Sequence, residues 1–268
     1  MTAKGGNAHP GRMTPFDLRA TDLRVLNSLT KYPSIPTYHE LDPRNGGLLE
    51  SPAAFPGAVI ATEKVDGTNS RLVLLPDGSY VIGSREELLF ARGDLIGNPA
   101  LGIVEQLRPV ADRLAEGHDG GLRVFFLELY GGKVGGAAKQ YTSDPSVFGW
   151  RLFDVVELDD WAAALTWPAA QISAWRESGG QPFASEEALA ALAGRAGLAL
   201  TPRLFTAEAL PESVAGMHAL LVERLPRTLV SLDGRDGRAE GIVFRTADRK
   251  VIAKARFQDY ERTLKRRR

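Results

Sequence analysis

The residue pattern best suited to chemistry is a lysine followed two positions later by a carboxylate and then by glycine. Lys64 comes at the end of the β-rich run 58–62, and Asp66 and Gly67 follow it. Because side chains alternate between the faces of a strand, Lys64 and Asp66 would share one face if the strand continued. Gly67 permits a sharp turn or the close approach of a ligand. Lysine is nucleophilic as the neutral amine, so the stretch predicts a lysine that attacks an electrophile.

The same stretch has a simpler interpretation. A lysine, a spacer, an aspartate and a glycine in this order also mark an ordinary strand end with a tight turn. If the chemical interpretation holds, we expect Asn69 and Arg71, which follow closely, to line the opening beside Lys64.

Four further charged residues lie in or directly beside apolar strand-like runs. Burying one isolated charge on a sheet costs several kcal/mol, so each needs a partner or a ligand. Charges of both signs are explained together if their strands line one polar cleft. The alternative is that they occupy edge positions or form structural ion pairs. The four residues are Glu128, Asp154, Glu240 and Lys254.

Composition narrows the class of protein. The 268 residues contain no cysteine, which excludes disulfides, thiolate metal sites and cysteine nucleophiles and fits a cytoplasmic location. The four histidines are scattered without metal-ligand spacing. The N-terminus lacks the apolar segment of a signal peptide, and no apolar run is long enough to span a bilayer, so we expect no membrane partner.

The charge is balanced overall but concentrated at the C-terminal end. The last 20 residues carry nine basic and two acidic side chains, a net charge of +7 on a chain with zero net charge. A basic end on a neutral protein indicates contact with a polyanion. The alternative is a solvated tail.

Hydrophobic patterning predicts one mixed α+β domain. We expect residues 1–20 to be poorly ordered, residues 21–258 to form the domain, and residues 259–268 to form a basic tail. A glycine-rich loop at 131–139 lacks the lysine ending of a phosphate-binding P-loop. The predicted strands are 58–62, 71–75, 80–83, 123–130, 150–156, 241–245 and 251–256, and the predicted helices are 99–116, 158–177, 185–196 and 211–224.

The order of these segments resembles the covalent nucleotidyltransferase superfamily, which comprises polynucleotide ligases and mRNA capping enzymes. The resemblance covers most of the chain and implies a single nucleotidyltransferase domain of antiparallel sheets flanked by helices. The matching stretches are KVDGTN at 64–69, SR at 84–85, FLELYG at 126–131, LFDVV at 152–156, EGIVF at 240–244 and AKAR at 253–256.

Within this superfamily the chain most resembles ATP-dependent RNA ligases of the RNA ligase 2 type. Asn69 in the first motif and the stretch YPSI at 32–35 are typical of that branch. The resemblance implies that Lys64 attacks the α-phosphorus of ATP, forms a lysyl-adenylate and releases pyrophosphate. The AMP then passes to a 5′-phosphate, and a 3′-hydroxyl displaces it to seal an RNA strand, in a nicked duplex or an RNA/DNA hybrid.

The same resemblance implies roles for the other motif residues. Lys254 and Arg256 bind the α-phosphate and stabilise its developing charge. Glu128 binds the ribose, and Phe153 stacks on adenine. Hard cations prefer oxygen ligands, so Mg²⁺ or Mn²⁺ is expected at two carboxylates. The expected metal ligands are Glu240 and Asp154, and the remaining ATP-binding or nucleic-acid-binding residues are Glu63, Asn69 and Arg85.

Two departures from the family pattern keep alternatives open. Arg256 stands where a second lysine is frequent, and only 12 residues (268 − 256) follow it, where many relatives carry a further nucleic-acid-binding domain. We therefore expect the basic tail or a partner protein to supply additional contacts with the nucleic acid. The alternatives are a DNA ligase, a GTP-using capping-type enzyme, and a non-catalytic binding module of the same fold. An unrelated α+β fold would not bring the motif residues into one cleft.

Overall fold

Two antiparallel sheets carry the motif residues in the computed structural model, which describes residues 16–98, 100–118 and 120–267. The strands are β1 (His39–Leu41), β2 (Leu48–Pro52), β3 (Val59–Lys64), β4 (Thr68–Leu74), β5 (Tyr80–Ser84), β6 (Leu88–Ala91), β7 (Asp94–Leu95), β8 (Leu122–Gly131), β9 (Phe148–Leu158), β10 (Arg203–Ala207), β11 (Gly241–Thr246) and β12 (Ile252–Arg256). The α-helices are α1 (Leu23–Leu29), α2 (Ile103–Glu116), α3 (Ala138–Tyr141), α4 (Trp161–Ala164), α5 (Ala169–Glu177), α6 (Glu186–Ala196), α7 (Val214–Arg224) and α8 (Phe257–Arg266).

The larger sheet has six strands in the order β7-β6-β5-β4-β8-β9, and the smaller has four in the order β10-β3-β11-β12. A separate hairpin consists of β1 and β2. All of these pairs are antiparallel. One apolar cluster of the larger sheet includes residues of α2 and α6, and a second includes residues of α1 and α5. A third cluster joins the smaller sheet to α7 and α8. This arrangement confirms the predicted α+β class with antiparallel sheets flanked by helices.

Local sequence signals predicted several elements correctly. The turn at 76–79 joins β4 to β5 as a hairpin. Ser185 caps α6 by accepting a hydrogen bond from the backbone N–H of Ala188, and Gly197 ends the helix in the left-handed conformation. Helix α2 begins later than predicted, because Leu101 and Gly102 have φ values of 70° and 71°.

Other elements differ from the prediction. The expected helix at 158–177 is divided into α4 and α5, with Pro168 as the residue before α5, because proline cannot continue a helix from its interior. The elements α1, α3, β1, β2, β6, β7 and β10 were not predicted, and their strands are short or weakly patterned.

Both predicted chain ends require correction within the described residues. Of the segment 1–20, residues 1–15 lie outside the description. Phe16 packs edge-on against Trp161 with ring centroids 5.3 Å apart, and Leu18 is buried. At the other end, residues 259–266 belong to α8, in which Tyr260 and Thr263 are buried. The concentration of basic residues predicted a tail, whereas the apolar side of this amphipathic helix packs in the cluster of the smaller sheet. Among the described residues, no helix is long and apolar enough to cross a membrane.

Candidate functional site

Lys64 is the last residue of β3, where that strand lies beside β11 in the smaller sheet. The register pairs Lys64 with Gly241, so Glu240 is next to the lysine. The Lys64 Nζ donates to Glu240 Oε2 at 2.5 Å, and the two side chains are 24% and 18% exposed. A Cβ on Gly241 would lie 2.1 Å from the carbonyl oxygen of Ala255, so only glycine allows this close strand packing. The ion pair is therefore accessible yet held on two adjacent strands.

Gly67 brings the chain from the smaller sheet into the larger one. A Cβ at this position would lie 2.1 Å from the carbonyl oxygen of Leu129. The Gly67 N–H donates to Glu128 Oε1 at 3.1 Å, and the Asp66 N–H donates to the Tyr141 hydroxyl oxygen at 2.6 Å. The turn after the lysine is thus fixed by β8 and α3, as expected for a close backbone approach.

Two acidic groups face Lys64 from different sheets. Burial raises the pKa of Glu128 to about 8, although the nearby Lys64 opposes this change and Glu240 adds to it. Burial also raises the pKa of Glu240, against the opposing effect of Lys64. Low-dielectric surroundings disfavour a charged carboxyl, so both acids hold a proton more readily than exposed ones do.

Lys254 and Arg256 lie on β12, on the other side of β11. Burial lowers the pKa of Lys254, and the neighbouring cations Arg256 and Lys64 lower it further. The Nε and Nη2 of Arg256 donate to the two oxygens of the buried Asp259 carboxylate, at 2.8 and 3.1 Å. Burial works against the charge on Arg256, but Asp259 outweighs it and raises its pKa. Helix α8 thus holds Arg256 in place.

One cleft of about 370 Å³ is lined by the ten residues to which the family resemblance assigned a catalytic, nucleotide-binding or metal-binding role. The four charged residues found in or beside apolar strands are among them, so strands of both sheets line one cleft, as predicted. The ten residues are Glu63, Lys64, Asn69, Arg85, Glu128, Phe153, Asp154, Glu240, Lys254 and Arg256.

Glu63 and Asp154 have both of their carboxylate oxygens bound by protein groups. Both oxygens of Glu63 accept hydrogen bonds, at 2.5 Å from the Thr228 hydroxyl and at 2.9 Å from the Leu229 N–H. Asp154 accepts hydrogen bonds from the guanidinium groups of Arg245 and Arg249. A cation beside Asp154 would be repelled by these two groups, which conflicts with the expected metal role. In the described residues, no group of three or more histidine, aspartate or glutamate side chains could hold a metal.

The three residues expected near the opening have different environments. The Arg85 side chain is mostly exposed and donates to the Ser34 hydroxyl oxygen at 3.1 Å. Asn69 pairs with Glu128 across the strands, and its side-chain oxygen is buried without a hydrogen-bond partner among the described residues. Arg71, expected beside the opening, is instead fully buried in the sheet, where one nitrogen donates to Asn27.

Sequence reasoning missed other residues of the cleft wall. Tyr32, Thr62, Thr201 and Arg245 also line it, and Tyr141 holds the turn behind it. Tyr32 lies in the noted YPSI stretch, whereas the others carry no local signal that separates them from ordinary strand and loop residues.

The fold and the cleft define a nucleotidyltransferase-type domain. The sequence model of the RNA ligase family matches residues 57–262, most of the chain, and the chain therefore belongs to the RNA ligase family. A comparison with curated protein sequences finds no match.

Solved structures of the Naegleria gruberi RNA ligase have a similar fold. A variant with AMP and manganese gives a TM-score of 0.55 at 14% identity, covering 88% of this chain and 59% of that one. A variant with ATP and manganese gives 0.53 at 14% identity, covering 78% and 52%. The structure with pyrophosphate gives 0.52 at 15% identity, with the same coverage. The chain thus spans between half and three-fifths of the Naegleria protein.

Proposed function

We propose that this protein is an ATP-dependent RNA ligase that works through a lysyl-AMP intermediate on Lys64. The observation that carries the proposal is the placement of Lys64 in one cleft with the acids Glu128 and Glu240 and the cations Lys254 and Arg256. Membership of the RNA ligase family and the ATP, AMP and pyrophosphate bound in the Naegleria structures support it.

The first step is self-adenylylation. The Nζ of Lys64 forms a bond to the α-phosphorus of ATP as the bond to the bridging oxygen breaks and pyrophosphate leaves. The ammonium proton must go first, and the Glu240 oxygen 2.5 Å away is placed to accept it.

The other cleft residues bind and orient the nucleotide. Lys254 and Arg256 face the charge that develops on the α-phosphate, where fixed cations act most strongly. Glu128 serves the ribose and Phe153 the adenine, while Asn69 and Arg85 contact the nucleic-acid end. Mg²⁺ keeps several waters and is often bound through phosphates plus one or two carboxylates. Glu240 would be the main protein ligand of this cation, and the phosphates of ATP would supply most of its other ligands. The cation would neutralise part of the phosphate charge.

Transfer of label from nucleotide to protein tests the first step. Incubation with α-labelled ATP and Mg²⁺ or Mn²⁺ should label wild-type protein covalently, and Lys64→Ala and Lys64→Arg should both abolish labelling. The arginine variant fails because guanidinium stays protonated and cannot attack. Lys133→Ala, at an exposed position of the 131–137 loop, is the matched control and should label normally. Full labelling of either Lys64 variant would refute the assignment.

The same assay separates the alternative functions. Preferential labelling by GTP would indicate a capping-type enzyme, and no labelling by either nucleotide would indicate a binding module. Nicked duplexes with RNA or DNA at the 3′-hydroxyl side then define the strand that is sealed. Sealing of nicks with a DNA 3′ end at an equal rate would contradict specificity for RNA.

A further inference from the structure

A buried cluster of opposite charges adjoins the cleft, which Tyr32, Asp154 and Arg245 of this cluster line. The hydroxyl of Tyr32 donates to Asp154 Oδ2 at 2.6 Å, and Arg249 Nε donates to the same oxygen at 2.8 Å. The other oxygen, Oδ1, accepts from Arg245 Nη1 at 3.1 Å. Arg249 Nη2 also donates to the Tyr32 oxygen at 2.7 Å, which closes the network. No member is more than 9% exposed.

The four residues of this cluster come from three separate parts of the fold, since Arg245 and Arg249 belong to the same β11–β12 hairpin. Tyr32 follows α1, Asp154 lies on β9 of the larger sheet, and Arg245 lies on β11 of the smaller sheet. Arg249 belongs to the turn between β11 and β12. The cluster therefore bridges the two sheets that form the cleft, and we call it the inter-sheet latch.

The latch is a weak source of stability. Removing charged groups from water is expensive, and buried ion pairs contribute little net stability compared with apolar packing. Arg249 also has φ of 63°, a left-handed conformation that is strained for a residue with a side chain. Such strain is typical of sites where geometry matters for function. Stability alone therefore does not account for the latch.

The latch fixes Phe153 in two ways. Arg245 Nη1, which binds Asp154, also donates to the backbone carbonyl oxygen of Phe153 at 3.1 Å. The ring of Tyr32 contacts the ring of Phe153 edge-to-face, with centroids 5.0 Å apart. Phe153 lines the nucleotide cleft, so a shift of the latch would move the surface on which a base stacks.

We propose that the inter-sheet latch holds Phe153 in position for the nucleotide base, and that Asp154 is a positioning residue of this latch and not a metal ligand. The inference rests on the proposed use of ATP at the Lys64 cleft. It assigns roles to Arg245 and Arg249, which lie outside the matching stretches, and a specific contact to Tyr32 of the YPSI stretch.

Tyr32→Phe is the sharpest test, because it keeps the ring and removes only the bridging hydroxyl. The KM for ATP in self-adenylylation should rise at least threefold and at most about tenfold, the upper limit being the free energy of one hydrogen bond to a charged group. The maximal rate and the metal concentration for half-maximal rate should stay within about twofold of wild type, since the reacting groups are untouched. Tyr80→Phe is the matched control, because it removes a tyrosine hydrogen bond to Asp112 outside the cleft.

A second variant keeps the proposal testable if Tyr32→Phe folds poorly. Arg249→Lys keeps the charge and loses the fork that binds Asp154 and Tyr32 together, so it should raise the KM for ATP in the same way. Equilibrium binding of tripolyphosphate, which has no base, should be the same in both variants and wild type. Circular dichroism and thermal melts establish that each variant is folded.

The outcomes separate failure of the latch from failure of the proposed function. If wild-type protein labels with ATP and both variants keep its KM, the latch has no role in base binding. A metal requirement that rises in Asp154→Asn and is overcome by excess metal would restore Asp154 as a metal ligand and overturn the proposal. If wild-type protein does not label, the proposed function fails. The role of the latch is then tested by the equilibrium affinity of wild type and both variants for ATP. Equal affinity in all three proteins, or no binding by wild type, would contradict this role.

Discussion

Replacing Glu128 by glutamine should change how stability depends on pH. Glu128 is held in the wall of the cleft, and burial raises its pKa from 4.5 to about 8. The folded protein therefore binds this proton more tightly than the unfolded chain. The resulting contribution to stability is complete below pH 4.5 and is lost as the pH rises through 8. Glutamine imitates the protonated acid in shape and has no such dependence.

The structure sets the size of this effect. A rise from 4.5 to about 8 corresponds to roughly 5 kcal/mol, at about 1.36 kcal/mol for each pH unit. The carboxyl lies beside a solvent-accessible cleft, so screening by water leaves about 2–3 kcal/mol. The free energy of unfolding of wild type, relative to that of Glu128→Gln, should fall by this amount between pH 5 and 8.

Urea unfolding of both proteins, followed by circular dichroism at half-unit intervals from pH 5 to 9, measures this difference. Glu116→Gln, at an exposed position near the end of α2, is the control and should run parallel to wild type. A difference between wild type and Glu128→Gln that stays constant within about 0.5 kcal/mol over this range would refute the burial argument.

Three further changes have defined expected outcomes. Gly67→Ala would place a Cβ 2.1 Å from the Leu129 carbonyl oxygen, so unfolding measurements should show a loss of about 1–3 kcal/mol and labelling by ATP should fall sharply. Lys254→Ala should slow self-adenylylation about 100-fold or more at saturating ATP, measured by rapid quench, and a change below threefold would remove it from the catalytic groups. Arg267→Ala removes contacts to Glu50 and to the Leu48 carbonyl oxygen, so urea unfolding should show a loss of about 1 kcal/mol, and unchanged stability would restore the interpretation of a solvated tail.

The sequence by itself determined the cleft, because its signals are local. An isolated charge within an apolar strand needs a partner or a ligand, so several such charges of both signs are expected to line one polar cleft. This reasoning predicted that Lys64, Glu128, Glu240 and Lys254 lie together, and the structure places them in one cleft. Turn and cap residues likewise predicted the β4–β5 hairpin and both ends of α6.

Only the tertiary structure decided which partner each buried charge has. Asp154 and Tyr32 are 122 residues apart in the chain, and Glu63 and Thr228 are 165 residues apart. No local pattern specifies such pairs, because they depend on how the two sheets and the 225–240 segment come together. The same holds for α8, whose basic residues bind carbonyl groups in the turn of the β1–β2 hairpin, as Arg262 does at Gly46 and Arg266 at Asn45. Local composition reveals that a charge is present, whereas its partner depends on packing between distant segments.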